Sequence, residues 1–298
     1  MNAQALAPDF AGRVLENEPM SRHTSWHVGG PADVFFQPRD ADDLAAFLRQ
    51  LPAAMPVHWI GLGSNVLVRD GGLRGVVIST HGTLDDLERI SDTEVYGQAG
   101  LACARLARQC VKWGLGPAEF FAGIPGTLGG ALAMNAGAFG GETWRHVIEV
   151  ETIDRSGTRR TRAAREFKVG YRSVVGPATE WFLAARLSFD RRPQAHQDEI
   201  RALLARRKET QPIGAWSCGS TFTNPPGDYA ARLIDTAGLK GHRIGGASVS
   251  TKHANFLLNE GKATARDLEQ LMLHVQATVE RMHGIRLEPE VRVIGEPA

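Results

Sequence analysis

An uncharged, glycine-dense segment, Phe120 to Gly141, constrains this chain more than any other feature. It holds seven glycines and Pro125 within 22 residues. That length is enough to cross a bilayer, but so many glycines would leave a lipid-exposed helix weak and its backbone poorly satisfied. Ordering glycine is also costly, because it loses more backbone freedom on folding than any other residue. We therefore interpret the segment as a binding loop closely approached by a flat or phosphorylated ligand. The alternative is tight helix packing through small residues, and we expect no membrane association.

A second glycine-rich loop, Gly61-Leu62-Gly63-Ser64-Asn65, follows a predicted strand at 57–60. Successive backbone N–H groups in such a turn can converge on an anion, and Asn65 can add a side-chain donor. It is not a dinucleotide-binding fingerprint, since Val66 stands where the third glycine belongs. Alone, the loop is weak evidence, because many glycine-rich turns only reverse the chain.

Composition narrows the class of protein. The 298 residues carry a formal net charge of +1, which argues against a nucleic-acid-binding surface. Three scattered cysteines suit a reducing cytoplasm, and Cys103 and Cys110, seven apart, are interpreted as core residues. Met1 to Phe10 lacks the pattern of a secretory signal. The ten histidines show no H-E-x-x-H pattern, so we expect no catalytic metal.

Hydrophobic periodicity and caps predict a mixed α+β chain. The predicted helices cover 40–51, 102–113, 198–208, 229–237 and 264–283, with Asp40 and the Thr264/Asp267 pair as N-terminal caps and Gly114 as a C-terminal stop. The predicted strands cover 57–60, 66–68, 76–78, 94–98, 147–153, 167–173, 181–189, 247–250, 256–258 and 286–294. We predict three domains, at 1–80, 81–210 and 211–298.

Several short motifs, in order along nearly the whole chain, resemble those of the UDP-N-acetylenolpyruvoylglucosamine reductase family, flavoenzymes that complete UDP-N-acetylmuramate for bacterial peptidoglycan. They are Thr24-Ser25, Gly29 to Asp33, Gly61 to Leu67, Gly123 to Gly141, Tyr171-Arg172-Ser173, Gly219 to Phe222, and Leu287 to Arg292. The resemblance implies an FAD-binding fold of the vanillyl-alcohol-oxidase (PCMH) type, built from two α/β subdomains, followed by an α+β substrate-binding domain. Only 47 residues separate Arg172 from Ser220, so the chain resembles the shorter subtype without a tyrosine-bearing insertion.

The resemblance also implies noncovalent FAD, NADPH as co-substrate and a UDP-sugar substrate, in a cytoplasmic protein that we expect to be a monomer. The predicted cofactor-binding residues come from the two glycine-rich loops. They are Gly61, Leu62, Gly63, Ser64, Asn65, Gly123, Ile124, Pro125, Gly126, Thr127, Gly129, Gly130, Asn135, Ala136 and Gly137.

Three polar residues match the family's catalytic positions. Reducing an enolpyruvyl double bond needs a hydride, a proton and stabilisation of an enolate-like carboxylate. Ser220 matches the proton donor, although a serine in a Gly-Ser turn is ordinarily structural. Arg172 matches a clamp on the substrate carboxylate, a task that suits its planar fork, and Glu290 matches the catalytic carboxylate. In a strand, Glu288, Glu290 and Arg292 would share one face, which would ordinarily be solvated; Glu288 is the alternative to Glu290.

Six further residues are predicted to contact substrate: Tyr171, Asn224, Arg292, Lys208, Lys252 and His253. The family usually carries lysine where this chain has Thr223, so a contact made by that lysine is in question. Lone lysines and histidines are more often solvated or structural.

Two rival functions stay open from sequence. One is a flavin-dependent oxidase or dehydrogenase of the same fold acting on a sugar or hydroxy acid, which does not predict the combination of Arg172, Ser220 and Glu290. The other is a nucleotide-binding regulatory module without turnover. Acyl transfer through Cys218 is not expected, because no Cys-His-Asn set or G-x-S-x-G elbow is recognisable.

Overall fold

The chain folds into two units, each assembled from separate stretches of sequence. The computed structural model describes residues 10–194 and 197–298. Unit 1 takes the described part of Met1–Glu16, then Val34–Leu62 and Gly75–Arg206, and unit 2 takes Asn17–Asp33, Gly63–Arg74 and Arg207–Ala298. The predicted lack of a secretory signal concerns residues that lie, except for Phe10, outside the described part. The three-domain division at 80 and 210 stays a prediction.

Six α-helices and twenty strands are present in the described residues. The helices are α1 (Ala41–Gln50), α2 (Cys103–Lys112), α3 (Leu128–Met134), α4 (Gln197–Thr210), α5 (Ala230–Thr236) and α6 (Ala265–His283). The strands are β1 (Arg13–Pro19), β2 (Pro31–Gln37), β3 (Val57–Ile60), β4 (Val66–Val68), β5 (Leu73–Ser79), β6 (Leu87–Arg89), β7 (Glu94–Gln98), β8 (Leu115–Gly116), β9 (Gly137–Ala138), β10 (Gly141–Glu142), β11 (Val147–Asp154), β12 (Arg159–Ala163), β13 (Lys168–Gly170), β14 (Ser173–Val175), β15 (Glu180–Ser188), β16 (Asp190–Arg191), β17 (Arg243–Ile244), β18 (Ala247–Val249), β19 (Leu257–Asn259) and β20 (Arg292–Ile294). The α+β prediction is confirmed.

In unit 1, α1 shows why this part of the sequence folds as it does. Asp40 accepts hydrogen bonds from the N–H groups of Asp42 and Asp43 and so caps the helix. Leu44, Phe47 and other apolar residues of its inner face are buried in a cluster shared with β5. Strands β1, β2, β5 and β3 form one sheet in that order, with β3 parallel to β5. The loop from Gly61 to Asn65 therefore begins directly after the ordered strand β3.

A second sheet of unit 1 carries the order β12-β11-β15-β7-β6. Its apolar side belongs to a cluster that also takes in α2 and α3, with Cys103 and Cys110 fully buried as predicted. Gly114 has φ +68° just after α2, which confirms it as the left-handed stop. The glycine-dense segment is packed onto this cluster.

Unit 2 is built around the longest helix, α6. Thr264 and Asp267 form the predicted capping box, and Gly284 ends the helix with φ +68°. The sheet β17-β18-β19 and the pair β20-β4 surround a core that includes the fully buried Trp26 and Leu287. The indole N–H of Trp26 donates to the carbonyl of Leu257 at 2.8 Å. Early and late parts of the sequence thus share one core.

Some predicted elements are wrong. The predicted strand 167–173 is a hairpin, β13 and β14, because the chain turns at Arg172, whose φ is +53°. The predicted strand 286–294 is regular only over β20; upstream, Leu287 and Val291 are buried as expected, but Pro289 between them is exposed. Helix α3 occupies what was interpreted as a loop, and β1 and β2 were not predicted. No helix of the described residues is long and apolar enough to span a membrane.

Candidate active site

The loop from Gly61 to Asn65 has the geometry of an anion-binding turn. Among the described residues, no acceptor takes the four successive backbone N–H groups from Gly61 to Ser64. Gly63 is buried with φ +69°, and an added Cβ would lie 1.9 Å from the carbonyl oxygen of His23. Glycine is therefore required at this position, and the free N–H groups around it can bind a phosphate.

The two glycine-rich stretches meet at Gly61 and Thr127. A Cβ on Gly61 would lie 2.4 Å from Thr127 Oγ1. That same hydroxyl caps α3 by accepting from Gly130 N at 3.4 Å. The structure thus brings the two predicted cofactor-binding segments together, with a glycine allowing their close approach.

Three glycines of the glycine-dense segment are closely packed within the protein. Added Cβ atoms would lie 2.5 Å from the Phe139 ring at Gly123, 2.9 Å from Ala99 Cβ at Gly129, and 2.3 Å from Gly141 O at Gly137. Close packing therefore accounts for these three glycines, and their contact with the cofactor stays a prediction. Gly130 differs, since its nearest neighbour would be 3.8 Å away and the residue is exposed.

The remaining cofactor candidates of this segment have varied surroundings. Ile124 and Ala136 are buried, Pro125 is exposed, and the carbonyl of Gly126 accepts from Cys103 N at 3.0 Å. The carbonyl of Ala136 accepts from both N and Oγ1 of Thr143. A ligand contact by any of these residues stays a prediction.

The side chain of Asn135 is hydrogen-bonded within the protein. It is buried and left-handed at the end of α3. Its Nδ2 donates to Glu142 Oε2 at 3.2 Å and to Gly170 O at 3.1 Å, and its Oδ1 accepts from Trp144 N at 3.1 Å. Both amide protons are thus bonded within the protein, and the predicted cofactor contact stays a prediction. The bond to Gly170 ties the glycine-dense segment to the turn that carries Arg172.

Tyr171 and Arg172 form the two-residue turn of the β13–β14 hairpin, closed by the pair Gly170 and Ser173. The left-handed backbone costs a residue with a side chain about 1–2 kcal/mol, and such strain clusters at functional sites. Arg172 Nη2 donates to Gly137 O at 3.4 Å, and its guanidinium carbon lies 5.6 Å from the centre of the exposed Tyr171 ring. The turn holds Arg172 beside the glycine-dense segment of unit 1.

Unit 2 brings Ser220 and Glu290 onto neighbouring antiparallel segments. Glu290 N donates to Thr221 O at 2.8 Å, and Thr223 N donates to Glu288 O at 2.9 Å, on either side of a bridge between Phe222 and Pro289. The hydroxyl of the half-buried Ser220 bonds to no other residue of the described chain. That hydroxyl is available to a substrate, within one residue of Glu290 across the pair.

Asn65 links the loop from Gly61 to Asn65 to the segment that carries Glu290. Its Nδ2 donates to Glu290 O at 3.0 Å, and its carbonyl accepts from Arg292 N at 3.1 Å, where β20 joins β4. The side chain of Asn65 thus donates to a protein carbonyl, and its contact with the cofactor stays a prediction. Arg292 is exposed and Glu290 half-buried.

The other substrate candidates are placed in unit 2 with differing constraints. Asn224 is exposed, and its Oδ1 accepts from Ala230 N at 3.1 Å at the start of α5. The ammonium of Lys252 donates to the carbonyl of Lys208, which brings these two residues together. Burial lowers the pKa of His253, whose Nδ1 is buried without a hydrogen-bond partner among the described residues. Burial therefore favours the neutral form of His253.

Sequence reasoning missed two residues beside Ser220. Asn255 is buried and bonds twice to the backbone of Phe222. Thr221 is fully buried, and its hydroxyl has no hydrogen-bond partner in the described chain. A buried asparagine in the apolar run 254–258 was the available signal, because buried amides need partners.

Comparison with known proteins identifies the family to which the chain is similar. Residues 211–294 match the family model described as UDP-N-acetylenolpyruvoylglucosamine reductase, C-terminal domain, and residues 32–162 match the one described as FAD binding domain. UDP-N-acetylenolpyruvoylglucosamine reductase of Alkalilimnicola ehrlichii is 58% identical over 286 residues, covering 96% of each chain. The Methylococcus capsulatus protein of the same name is 56% identical, covering 99% of this chain and 97% of its own.

Solved structures agree with this assignment. The crystal structure of UDP-N-acetylenolpyruvylglucosamine reductase (MurB) from Thermus caldophilus has a TM-score of 0.78 at 32% identity, covering 95% of this chain and 99% of its own. An alkyldihydroxyacetonephosphate synthase, at 16% identity and TM-score 0.50 over 65% of this chain and 42% of its own, supports the fold alone. The predicted FAD-binding fold of the vanillyl-alcohol-oxidase type, with a C-terminal substrate-binding domain, is confirmed. By the identity of its relatives across nearly its full length, this chain belongs to the UDP-N-acetylenolpyruvoylglucosamine reductase (MurB) family.

Proposed function

We propose that this chain reduces UDP-N-acetylglucosamine enolpyruvate to UDP-N-acetylmuramate, with FAD as cofactor and NADPH as hydride source, in the synthesis of peptidoglycan precursors. Membership of the family supports the reaction. One structural observation supports particular residues as the reacting groups. Ser220 has an available hydroxyl, and its segment is hydrogen-bonded to the segment that carries Glu290. Reduction of an enolpyruvyl double bond requires a proton donor and a group that stabilises the negative charge, and these two segments carry a candidate for each.

The residues of the loop from Gly61 to Asn65 fit FAD. The unsatisfied N–H groups from Gly61 to Ser64 would bind its diphosphate. The open space beside Gly130 would admit another part of the cofactor, next to Thr127. Bound FAD supplies hydride transfer between NADPH and the substrate, and the protein supplies orientation and electrostatics.

The chain's own residues would complete the reaction at the substrate. Hydride addition to the methylene carbon leaves negative charge on the neighbouring carbon and its carboxylate. Arg172 would neutralise this charge through its planar fork, and Glu290 would stabilise it by donating a hydrogen bond when protonated. Ser220 would then donate its proton to the neighbouring carbon. The proton lost from the hydroxyl must be replaced from solvent before the next turnover.

We propose that the UDP-sugar is held by polar residues around these groups. Asn224 keeps its amide N–H groups for the substrate, because its Oδ1 is already bonded to Ala230 N. The charges of Lys208, Lys252 and Arg292 suit a diphosphate, and all three residues are exposed. We also propose that Tyr171 and His253 contact the substrate, and that the protein acts as a cytoplasmic monomer. Its three free, buried cysteines support the reducing compartment.

The two half-reactions test the assignment separately under anaerobic conditions. We expect the Ser220→Ala variant to bind FAD and to be reduced by NADPH as the wild type is. Its flavin should then be reoxidised by the enolpyruvyl sugar nucleotide about 10²–10⁴-fold more slowly, the usual contribution of general acid catalysis. Thr223→Ala is the matched control, since it removes a hydroxyl from the same segment that bonds only to Glu288 O, at 3.3 Å.

Three results would contradict the proposal. If Ser220→Ala is reoxidised at the wild-type rate, the proton donor is wrong. If the wild-type flavin responds to oxygen but not to the sugar nucleotide, the oxidase interpretation replaces the reductase. Reduction of the flavin with no reoxidation by either would favour a binding module.

A further inference from the structure

Asn255 makes a two-point contact with the segment that carries Ser220. Its Oδ1 accepts from Phe222 N at 3.0 Å, and its Nδ2 donates to Phe222 O at 2.8 Å. Its backbone carbonyl accepts from Thr221 N at 2.8 Å. One buried residue therefore fixes the backbone of two successive positions directly after Ser220.

A tight turn between β18 and β19 presents Asn255 in this position. The buried Ser250 accepts hydrogen bonds at Oγ from the N–H groups of Lys252 and His253, both at 3.2 Å. Ser250 N donates to Phe256 O, and Phe256 N donates to His253 O. The turn is closed by its own hydrogen bonds, so Asn255 is held by the hairpin and not by the segment it contacts.

The other side of Ser220 is held less directly. Gly219 precedes it with φ +73°, and nothing lies within 4 Å of the position where its Cβ would be. The nearest upstream anchor is Cys218, which is buried. Because a glycine leaves the chain freedom to rotate, the position of Ser220 depends chiefly on Thr221 and Phe222, which Asn255 fixes.

The same contacts relate Ser220 to Glu290. Thr221 O accepts from Glu290 N at 2.8 Å while Thr221 N is bonded to Asn255. The 221–223 segment thus lies between Asn255 and the 288–290 segment, and it is hydrogen-bonded to both.

We infer that Asn255 is a positioning residue for proton transfer: its amide holds the Ser220 segment in register with Glu290. This inference rests on the proposed function, because it assigns the proton-donor role to Ser220. Asn255 touches no reacting atom in this scheme. It acts only through the backbone of Thr221 and Phe222.

Asn255→Ala tests the inference, with Asn259→Ala as the matched control. Asn259 is also buried, on the same hairpin, and its side chain also bonds to backbone, at Trp26 O, Gly261 N and Ala263 N. Both variants lose buried amide hydrogen bonds, so urea unfolding measures the structural cost of each. Only Asn255→Ala removes bonds to the Ser220 segment.

We expect both variants to bind FAD and to be reduced by NADPH close to the wild-type rate. Asn255→Ala should slow reoxidation by the sugar nucleotide roughly 10–100-fold, since misplacement by an ångström has this effect. Its solvent deuterium isotope effect should rise, because proton transfer becomes more nearly rate-limiting. The Phe222 amide should also exchange with solvent faster. Asn259→Ala should change neither the reoxidation rate nor its isotope effect.

Combination with Ser220→Ala gives a second measurement. If Asn255 acts through Ser220, adding Asn255→Ala to Ser220→Ala should slow reoxidation little further, because the two effects are not additive. Fully additive effects, or equal slowing by Asn255→Ala and Asn259→Ala, would overturn the inference. Should Asn255→Ala not fold, the Asn255→Asp variant takes its place, measured at acidic and at neutral pH, since only the protonated acid can both donate to and accept from Phe222. Equal rates of flavin reoxidation at the two pH values, after correction for the wild type, would then overturn the inference. Failure of the wild type to respond to substrate would instead contradict the proposed function.

Discussion

Two adjacent glycines at the start of α3 should respond in opposite ways to the same substitution. Gly129 lies against Ala99: an added Cβ would be 2.9 Å from Ala99 Cβ and 3.0 Å from its carbonyl oxygen. Neither atom is the end of a flexible side chain, so the β7–α2 connection would have to move. Gly130 has only Thr127 Oγ1 within 4 Å, at 3.8 Å, which is an ordinary contact.

The magnitudes follow from these distances. Gly129→Ala should destabilise the protein by about 1–3 kcal/mol, the usual cost of overpacking. Gly130→Ala should stabilise it by about 0.5–1 kcal/mol, because alanine loses less backbone entropy in a helix. If the open space beside Gly130 is where the cofactor lies, however, the new methyl group should weaken FAD binding by roughly tenfold, or about 1.4 kcal/mol.

Urea unfolding of the apoproteins and titration with FAD separate the two effects. Gly130→Ala should be at least as stable as the wild type yet bind FAD less tightly. Undiminished FAD affinity in that variant would show that the cofactor does not occupy this space. A stable Gly129→Ala variant would refute the packing argument itself.

Three further predictions concern the rest of the chain. Asp40→Ala should lower the free energy of unfolding by about 0.5–2 kcal/mol, as expected for loss of a helix N-cap and measurable by urea unfolding; an unchanged midpoint would contradict the capping role. Burial tends to raise the pKa of Asp154, but hydrogen bonds from Ser156, Arg160 and Thr158 outweigh it and lower the pKa to about 2. The stability this carboxylate contributes is therefore present above about pH 4 and lost as the pH falls toward 2, so unfolding of Asp154→Asn should depend less on pH in that range than unfolding of the wild type. Burial raises the pKa of all three cysteine thiols to about 12, so a thiol reagent at neutral pH should label the native protein slowly and the urea-unfolded protein rapidly, and fast labelling of the native state would contradict the burial.

Local signals in the sequence predicted every helix except α3. Asp40, Thr264 and Gly114 act at the ends of α1, α6 and α2 through bonds to residues a few positions away. Such contacts are visible in any sequence that contains them. The hairpin at Tyr171 and Arg172 was missed because its left-handed residue is an arginine, not one of the residues that usually indicate such a turn.

Long-range pairing limits what the sequence predicts about the site. Ser220, Arg172 and Glu290 were selected through the resemblance, and nothing local indicates that the segments of Ser220 and Glu290 are hydrogen-bonded. The roles of Asn65 and Asn255 depend on which backbone lies opposite each amide. The bond from Asn65 to a protein carbonyl was therefore not foreseen, and Asn255 was overlooked.

The discontinuity of unit 2 has a consequence for how the protein is synthesised and for how its gene can recombine. Its segments 17–33 and 63–74 leave the ribosome long before Arg207–Ala298, which supply β20 as the partner of β4 and Leu257 as the acceptor for Trp26. Nascent chains must therefore leave β4 and Trp26 without these partners until synthesis is nearly complete, a period in which an exposed strand is open to aggregation and chaperone binding. For the same reason, recombination that moves only the C-terminal gene segment would deliver a unit without its own strand β4 and buried tryptophan. We expect that segment to fold only together with the rest of the chain.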